Sequence, residues 1–104
     1  LKGLELGCSG IITATCNVTA QMSRKVYDDF FSGTDQSLNQ KLCDVRKVFD
    51  KYNLISGLHT FCSHENQIYK NILPPLRLLN KSEETNLMEA LKNLNFTIKS
   101  SKAA

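Results

Sequence analysis

Apolar residues recur at helical spacing in the second half of the chain, and they predict its main elements. The clearest stripe has spacings of four, three, four and three residues and consists of Leu38, Leu42, Val45, Phe49 and Tyr52. This periodicity is typical of an amphipathic α-helix. Ser37 and Gln40 fit a capping box at its start. The pattern therefore predicts a helix over residues 37–52, followed by a connection over residues 53–61 that contains Gly57.

Two further helices are predicted after this connection. Ser63 is suited to cap a helix whose inner face carries Ile68 and Ile72. Pro74-Pro75 ends this helix, because neither proline donates a backbone hydrogen bond. The last helix begins near Ser82, and its stripe is formed by Leu87, Leu91, Leu94 and Ile98.

The first third of the chain carries a weaker pattern. Residues 21–31 predict a short helix or a turn, with Met22, Val26 and Phe30 at intervals of four. Glycines interrupt residues 1–10 and disfavour a regular helix there. Residues 11–18 are rich in Thr and β-branched side chains, so an extended segment and a short irregular helix both remain open.

Length and cysteine content favour a small secreted domain. The 104 residues are enough for one domain, which we take to span residues 1–104. The four cysteines, Cys8, Cys16, Cys43 and Cys62, contain no C-x-x-C spacing, which argues against a zinc site. An even number of cysteines is compatible with two disulfides in any of three pairings. Three N-glycosylation sequons, at Asn17, Asn80 and Asn95, also favour an extracellular protein.

Several function classes find little support in the sequence. A net charge of +3 without a Lys/Arg run or a Trp disfavours nucleic-acid binding. No apolar stretch is long enough for membrane insertion. No catalytic arrangement, cofactor motif or metal-ligand spacing is evident, and His59 and His64 are interpreted as loop or capping residues. The sequence thus predicts a protein that is not an enzyme and that has no catalytic residues, cofactor or metal.

Short segments of the chain, taken in order, resemble the short-chain four-helix cytokines of the interleukin-4 and interleukin-13 family. The resemblance covers residues 16–102 and is carried by residues 26–31, Lys41-Leu42-Cys43, residues 45–52, Cys62, residues 68–72, Thr85-Asn86-Leu87 and residues 91–94. It implies an all-α, up-up-down-down four-helix bundle stapled by two disulfides. It also implies the pairs Cys16–Cys62 and Cys8–Cys43.

The same resemblance implies a function and a set of contact residues. A monomeric, secreted cytokine of this kind would bridge two cell-surface receptor chains, one similar to the interleukin-4 receptor alpha chain, and act in immune signalling as a growth factor. The residues assigned to receptor contact are Lys70, Glu5, Arg77, Lys92, Asn93 and Lys99. The alternative interpretation is a secreted helical carrier or effector that binds a lipid or a host protein.

Overall fold

The computed structural model describes residues 1–97, and every regular element in this range is helical. There are five α-helices and one 3₁₀ helix. In chain order they are α1 (Lys2–Glu5), α2 (Cys16–Ser32), α3 (Asn39–Phe49), α4 (Leu54–Ser63), the 3₁₀ helix (Gln67–Lys70) and α5 (Lys81–Asn93). The prediction of an all-α chain is confirmed for these residues. None of these helices is long and apolar enough to cross a membrane.

Three aromatic rings form the centre of the core. Phe49 at the end of α3 packs edge-to-face on Phe61 of α4, with ring centroids 5.8 Å apart. Phe61 stacks on Phe96, which follows α5, at 5.5 Å. Such aromatic pairs add to the stabilisation that comes from burying their area. The rings are surrounded by other buried apolar side chains, namely Val18, Val45, Val48, Leu58, Leu87 and Leu91.

Helix α4 occupies a segment that the sequence pattern assigned to a connection. Its N-cap is Asn53, whose side-chain oxygen accepts a hydrogen bond from the backbone N–H of Ser56 at 3.1 Å. Gly57, interpreted from sequence as a loop residue, lies inside this helix. A Cβ atom at Gly57 would stand 3.4 Å from a ring carbon of Phe49. This is an ordinary van der Waals distance, so a side chain as small as alanine would fit here. Glycine is tolerated in α4 despite its low helix propensity, because its neighbours pack in the core.

The predicted third helix is wrong in its position and its inner face. Ser63 is the last residue of α4 and does not cap a new helix. The segment that follows forms only the short 3₁₀ helix, in which Ile68 is exposed. Helix α4 lies before the predicted third helix, and only a 3₁₀ turn occupies the predicted position. The described elements therefore do not reproduce the four long helices expected of a cytokine bundle. The capping box at Ser37 is also absent, because Leu38 is the N-cap of α3.

Helix α5 agrees with its predicted stripe and has well-defined ends. Asn80 and Glu83 form a reciprocal capping box at its start. At its end, the backbone N–H of Phe96 donates to the carbonyl of Leu91 at 2.9 Å, and Asn95 adopts φ of 56°. A residue in this left-handed conformation turns the chain sharply after a helix. The turn returns Phe96 to the core. Ile98, the last predicted member of the stripe, lies outside the described residues.

The two predicted disulfides are not present. Among residues 1–97, none of Cys8, Cys16, Cys43 and Cys62 forms a disulfide. The thiol of Cys16 is 3.4 Å from the hydroxyl of Ser23, about two turns further along α2. Cys43 is exposed on α3. The hydrophobic core joins the helices without covalent links. The described residues therefore give no support to the prediction of a disulfide-stapled fold.

Asp29 anchors the end of α2 to the loop before α3. Its buried carboxylate accepts hydrogen bonds from the ammonium of Lys25, from the hydroxyl of Ser37 at 3.3 Å and from the hydroxyl of Thr34 at 3.4 Å. The hydrogen bond from Lys25 holds the pKa of Asp29 below its ordinary value of 3.8, although burial acts in the opposite direction. The ionised carboxylate is therefore the form that stabilises this corner.

Replacing Asp29 by Asn should destabilise the protein at neutral pH, and the loss should shrink in acid. The folded state binds fewer protons than the unfolded state between the lowered and ordinary pKa values. The stabilisation from Asp29 is therefore complete above its ordinary pKa and is lost as the pH falls through the lowered one. Urea unfolding of the full natural polypeptide from about pH 2 to about pH 7 measures the free energy of unfolding of D29N and of the wild type.

Asp28→Asn is the matched control for this experiment. Asp28 is the neighbouring residue, and its carboxylate lies 2.8 Å from Arg24 on the exposed side of α2. An exposed pair of this kind contributes about 0.2–1 kcal/mol. A destabilisation by D29N that does not vary with pH, or that equals the effect of D28N, would contradict the assignment.

The absence of disulfides leads to a second prediction. Protein denatured without reductant and treated with iodoacetamide should gain four carbamidomethyl groups, one for each cysteine thiol. Intact-mass spectrometry counts them, and a sample reduced before alkylation is the control. Fewer groups in the unreduced sample than in the control would show that a disulfide forms.

Candidate functional site

A groove lies between the start of α2, one side of α4 and the 3₁₀ helix. Its volume is about 280 Å³. Residues from three separate parts of the chain line it: Ala14, Asn17, Ile55, Leu58, His59, Cys62, Glu65 and Tyr69. Ile55, His59 and Cys62 follow one another at intervals of four and three, so they lie on one face of α4. The groove therefore combines an apolar wall with a polar edge.

His59 has a fixed orientation at this polar edge. Its Nδ1 atom is 2.8 Å from the backbone carbonyl oxygen of Tyr69. Because a carbonyl oxygen only accepts hydrogen bonds, Nδ1 carries a proton and donates it. In the neutral ring Nε2 is then the acceptor. The contact also attaches the 3₁₀ helix to α4, since Tyr69 belongs to that helix.

The N-terminal side of the groove is fixed by polar contacts around the start of α2. The side-chain amide of Asn17 donates to the carbonyl of Ala14 at 2.8 Å. The guanidinium of Arg46 on α3 donates to the hydroxyl of Thr13 at 3.1 Å. Thr15 is buried, and its carbonyl accepts from the hydroxyl of Thr19 at 2.9 Å. These contacts fix the turn that precedes α2.

The segment before this turn has no partners for its backbone. Among the described residues, no hydrogen bond involves the N–H or C=O groups of residues 9–12. Ile11 is 67% exposed, and Ile12 is fully exposed. Residues 9–12 are exposed, so water can satisfy their backbone groups. The two adjacent exposed isoleucines are the apolar surface of this segment that no other described residue covers.

A second concavity, of about 320 Å³, lies between the starts of α4 and α5 and is lined in part by Arg77. Both helix ends are already capped by the side chains of Asn53 and Asn80. Arg77 is exposed and makes no ion pair within residues 1–97. Within that same range, no group of three or more His, Cys, Asp or Glu side chains is placed to hold a metal ion.

The structure does not collect the residues assigned to receptor contact into one site. Glu5 is exposed in α1, and Lys70 is exposed in the 3₁₀ helix. Lys92 and Asn93 are exposed at the end of α5. Lys99 lies outside the described residues.

The three sequon asparagines lie in different parts of the fold. Asn17 lines the groove, Asn80 caps α5 and Asn95 forms the turn after it. Their glycosylation and an extracellular location stay predictions.

Comparison with known proteins places the chain in an enzyme family. The family model described as the dihydrodipicolinate synthetase family matches residues 1–94. The chain therefore belongs to this family, whose members are TIM-barrel enzymes. No curated protein and no solved structure gives a significant match.

This membership corrects four predictions made from the sequence. The resemblance to interleukin-4 and interleukin-13 is wrong as an assignment, because the matching family is not a cytokine family. A receptor-bridging function and the alternative of a carrier or effector are wrong for the same reason. Cytokine receptor ectodomains are then not the partners. The prediction that the protein is not an enzyme is also wrong.

Sequence reasoning missed the groove and the role of His59 in it. The histidine was interpreted as a loop or capping residue because the segment around Gly57 was not recognised as helical. The available signal was the spacing of Ile55, His59 and Cys62 on one helix face. The contact between His59 and Tyr69, ten residues apart, depends on the chain reversal after α4 and has no local signature.

Loss of the His59 side chain should loosen the 3₁₀ helix. His59→Ala removes the hydrogen bond to Tyr69, which contributes about 1 kcal/mol. We expect the amide protons of Tyr69 and Asn71, which bond within this turn, to exchange about fivefold faster. Hydrogen-exchange mass spectrometry of the full natural polypeptide measures this change.

His64→Ala is the control for this variant. His64 follows α4 directly, and its ring lies 3.8 Å from Glu84 rather than against the 3₁₀ helix. Equal exchange rates in the wild type and H59A, or equal acceleration in both variants, would show that His59 does not anchor the turn.

Proposed function

We propose that this chain forms one strand–helix unit and the adjoining helices of a barrel enzyme with lyase or aldolase activity. The family assignment supports the reaction class, because the family is of the lyase or aldolase type. The observation that carries the proposal is the unpaired backbone of residues 9–12. A barrel sheet is the partner that this segment lacks.

The side chains of this segment agree with a strand inside a barrel. Successive side chains of a β-strand point to opposite faces of the sheet. Ile11 and Ile12 are adjacent in the chain, and both are exposed. A strand with apolar residues on both faces is typical of a parallel sheet covered by helices. Pairing with neighbouring strands would satisfy the backbone groups and bury both isoleucines.

The order of elements supports the same arrangement. Residues 9–12 are followed after a short turn by α2, which starts at Cys16. In a TIM barrel each parallel strand is followed by a helix that packs outside it. Eight such units need about 250 residues, whereas residues 1–97 contain no strand. The activity proposed here is therefore that of a barrel to which these residues contribute one unit.

The position of α2 in the chain supports a choice of catalytic side. Active sites of TIM barrels lie at the carboxyl ends of the strands, where loops lead into the next helices. In this chain the corresponding loop is the turn of Thr13, Ala14 and Thr15 before α2. The fixed contacts of this turn, above all the hydrogen bond from Arg46 to Thr13, would hold it rigid beside the reacting groups.

Activity and the burial of Ile12 test this proposal together. The full natural polypeptide should join enolisable carbonyl donors, represented by pyruvate, acetaldehyde and dihydroxyacetone phosphate, to aldehydes. Adduct formation is measured by mass spectrometry. Ile12→Lys should remove this activity and lower the free energy of unfolding by about 3 kcal/mol or more, because it places a charge inside a sheet.

Asn86→Lys, on the exposed face of α5, is the control and should change neither property. In the structure of residues 1–97 the side chain of Ile12 is fully exposed. If no sheet covers it in the full protein, I12K should change neither the activity nor the free energy of unfolding. A neutral I12K, or a wild type without aldol activity on the panel, would contradict the proposal.

A further inference from the structure

Two side chains of the groove form a combination that the proposed function does not use. His59 and Cys62 lie about one turn apart on α4, and both line the groove. Among residues 1–97, none of the four cysteines forms a disulfide. We propose that Cys62 is a modification site, at which its thiol, with His59 as the base, takes up a small uncharged disulfide by thiol–disulfide exchange. The site consists of described residues alone and does not depend on a barrel.

The hydrogen bond of His59 to the 3₁₀ helix prepares its ring to act as a base. Nδ1 lies 2.8 Å from the carbonyl oxygen of Tyr69 and donates to it. Because this contact fixes the tautomer of the neutral ring, Nε2 is the nitrogen that can accept a proton. A base that is itself oriented by a third group is the arrangement that activates a cysteine nucleophile. The backbone carbonyl of Tyr69 is that third group here.

The spacing on α4 places the thiol within reach of this ring. Residues three apart on a helix have Cβ atoms about 5–6 Å apart, and an imidazole ring is long enough to cover most of this separation. His64 also flanks Cys62 in the chain, but its Nε2 atom lies 3.8 Å from a carboxylate oxygen of Glu84 on α5. Of the two histidines beside Cys62, His59 is therefore the one that shares the groove with the thiol.

The groove admits a small reagent to the thiol. Its volume is about 280 Å³, against about 30 Å³ for one water molecule in the liquid. A disulfide with two short substituents fits this space, whereas a folded protein does not enter it. Ile55 and Leu58 form an apolar wall, and none of the eight lining residues is Lys or Arg. These features favour an uncharged reagent over one that carries carboxylates.

The exchange is balanced without a further oxidant. The thiol proton of Cys62 passes to Nε2 of His59, and the thiolate attacks one sulfur of the disulfide. The sulfur–sulfur bond of the reagent breaks as the new one forms, and its electron pair leaves with the second sulfur. The departing thiolate takes the proton from the imidazolium. One mixed disulfide and one small thiol result, so the reagent itself is the oxidant.

Competition between two cysteines of the same molecule tests the site. Cys43 is exposed on α3, whereas Cys62 is only partly exposed. If exposure alone set the rate, Cys43 would react first. An ordinary cysteine is only a few per cent thiolate near neutral pH, and the thiolate is the reacting form. With a base beside it, Cys62 should form the mixed disulfide about tenfold faster than Cys43.

Peptide mass spectrometry measures the two rates separately. The full natural polypeptide, reduced and then freed of reductant, is exposed to hydroxyethyl disulfide, which is small and uncharged. At successive times the remaining thiols are blocked with N-ethylmaleimide in denaturant, and the protein is digested with trypsin. Cys43 and Cys62 fall in separate tryptic peptides, which span residues 42–46 and 52–70.

His59→Leu removes the base and keeps an apolar side chain in the groove. We expect the rate at Cys62 to fall about tenfold, while the rate at Cys43 serves as the reference in the same molecule. The direction separates a base from a structural support. If His59 only anchored the 3₁₀ helix, its loss would open the groove and speed the reaction at Cys62. His64→Leu is the matched control and should leave both rates unchanged, because the His64 ring lies against Glu84.

Three results would overturn the proposal. A wild type in which Cys62 reacts no faster than Cys43 shows that the groove does not activate the thiol, and this comparison needs no variant. An H59L protein in which Cys62 reacts as fast as in the wild type, or faster, removes His59 from the role of base. Equal losses of rate in H59L and H64L show a change in the helix rather than the loss of a base.

Discussion

The contact of Phe61 with both Phe49 and Phe96 is the interaction on which the described structure depends. It joins α3, α4 and the turn after α5, which are distant in the chain, around one buried ring. Gly57 of α4 also faces Phe49, so it belongs to the same contact between the two helices. Because α4 is held in this way, His59 on its other side is presented to the groove. The core and the groove are therefore two faces of one helix.

The sequence predicted those elements whose signals are local. The stripe of Leu87 and Leu91 and the first-turn carboxylates identified α5, and a similar stripe identified α3. Helix α4 was missed because Gly57 is a loop signal when read alone, whereas its burial against Phe49 shows that it lies inside a packed helix. The groove was missed for a related reason, since its lining joins residues near position 15 to residues after position 54. Contacts of this kind are set by tertiary packing and leave no periodic pattern.

The mistaken assignment to a cytokine family has a physical origin. Amphipathic stripes at helical spacing state that a helix has one apolar face, and they do not state what covers that face. A helix of a bundle and a helix outside a barrel present the same pattern, so fold-level likeness does not determine function. The even number of cysteines added weight to a stapled fold, although the described residues contain no disulfide. The segment with Ile11 and Ile12 argued against a self-contained bundle, because neither isoleucine packs into the helical core.

The unpaired backbone of residues 9–12 also bears on how the protein matures in a crowded cell. Until it is covered, this segment is an open edge to which any extended chain can add, including another copy of itself. Its exposed isoleucines would favour aggregation with such a chain. Helices α2 to α5 bury a core of their own, so among the described residues this stretch is one of the exposed apolar surfaces that packing within the helices does not cover. Quality control of the newly made polypeptide would then act in part on this segment near its first helix.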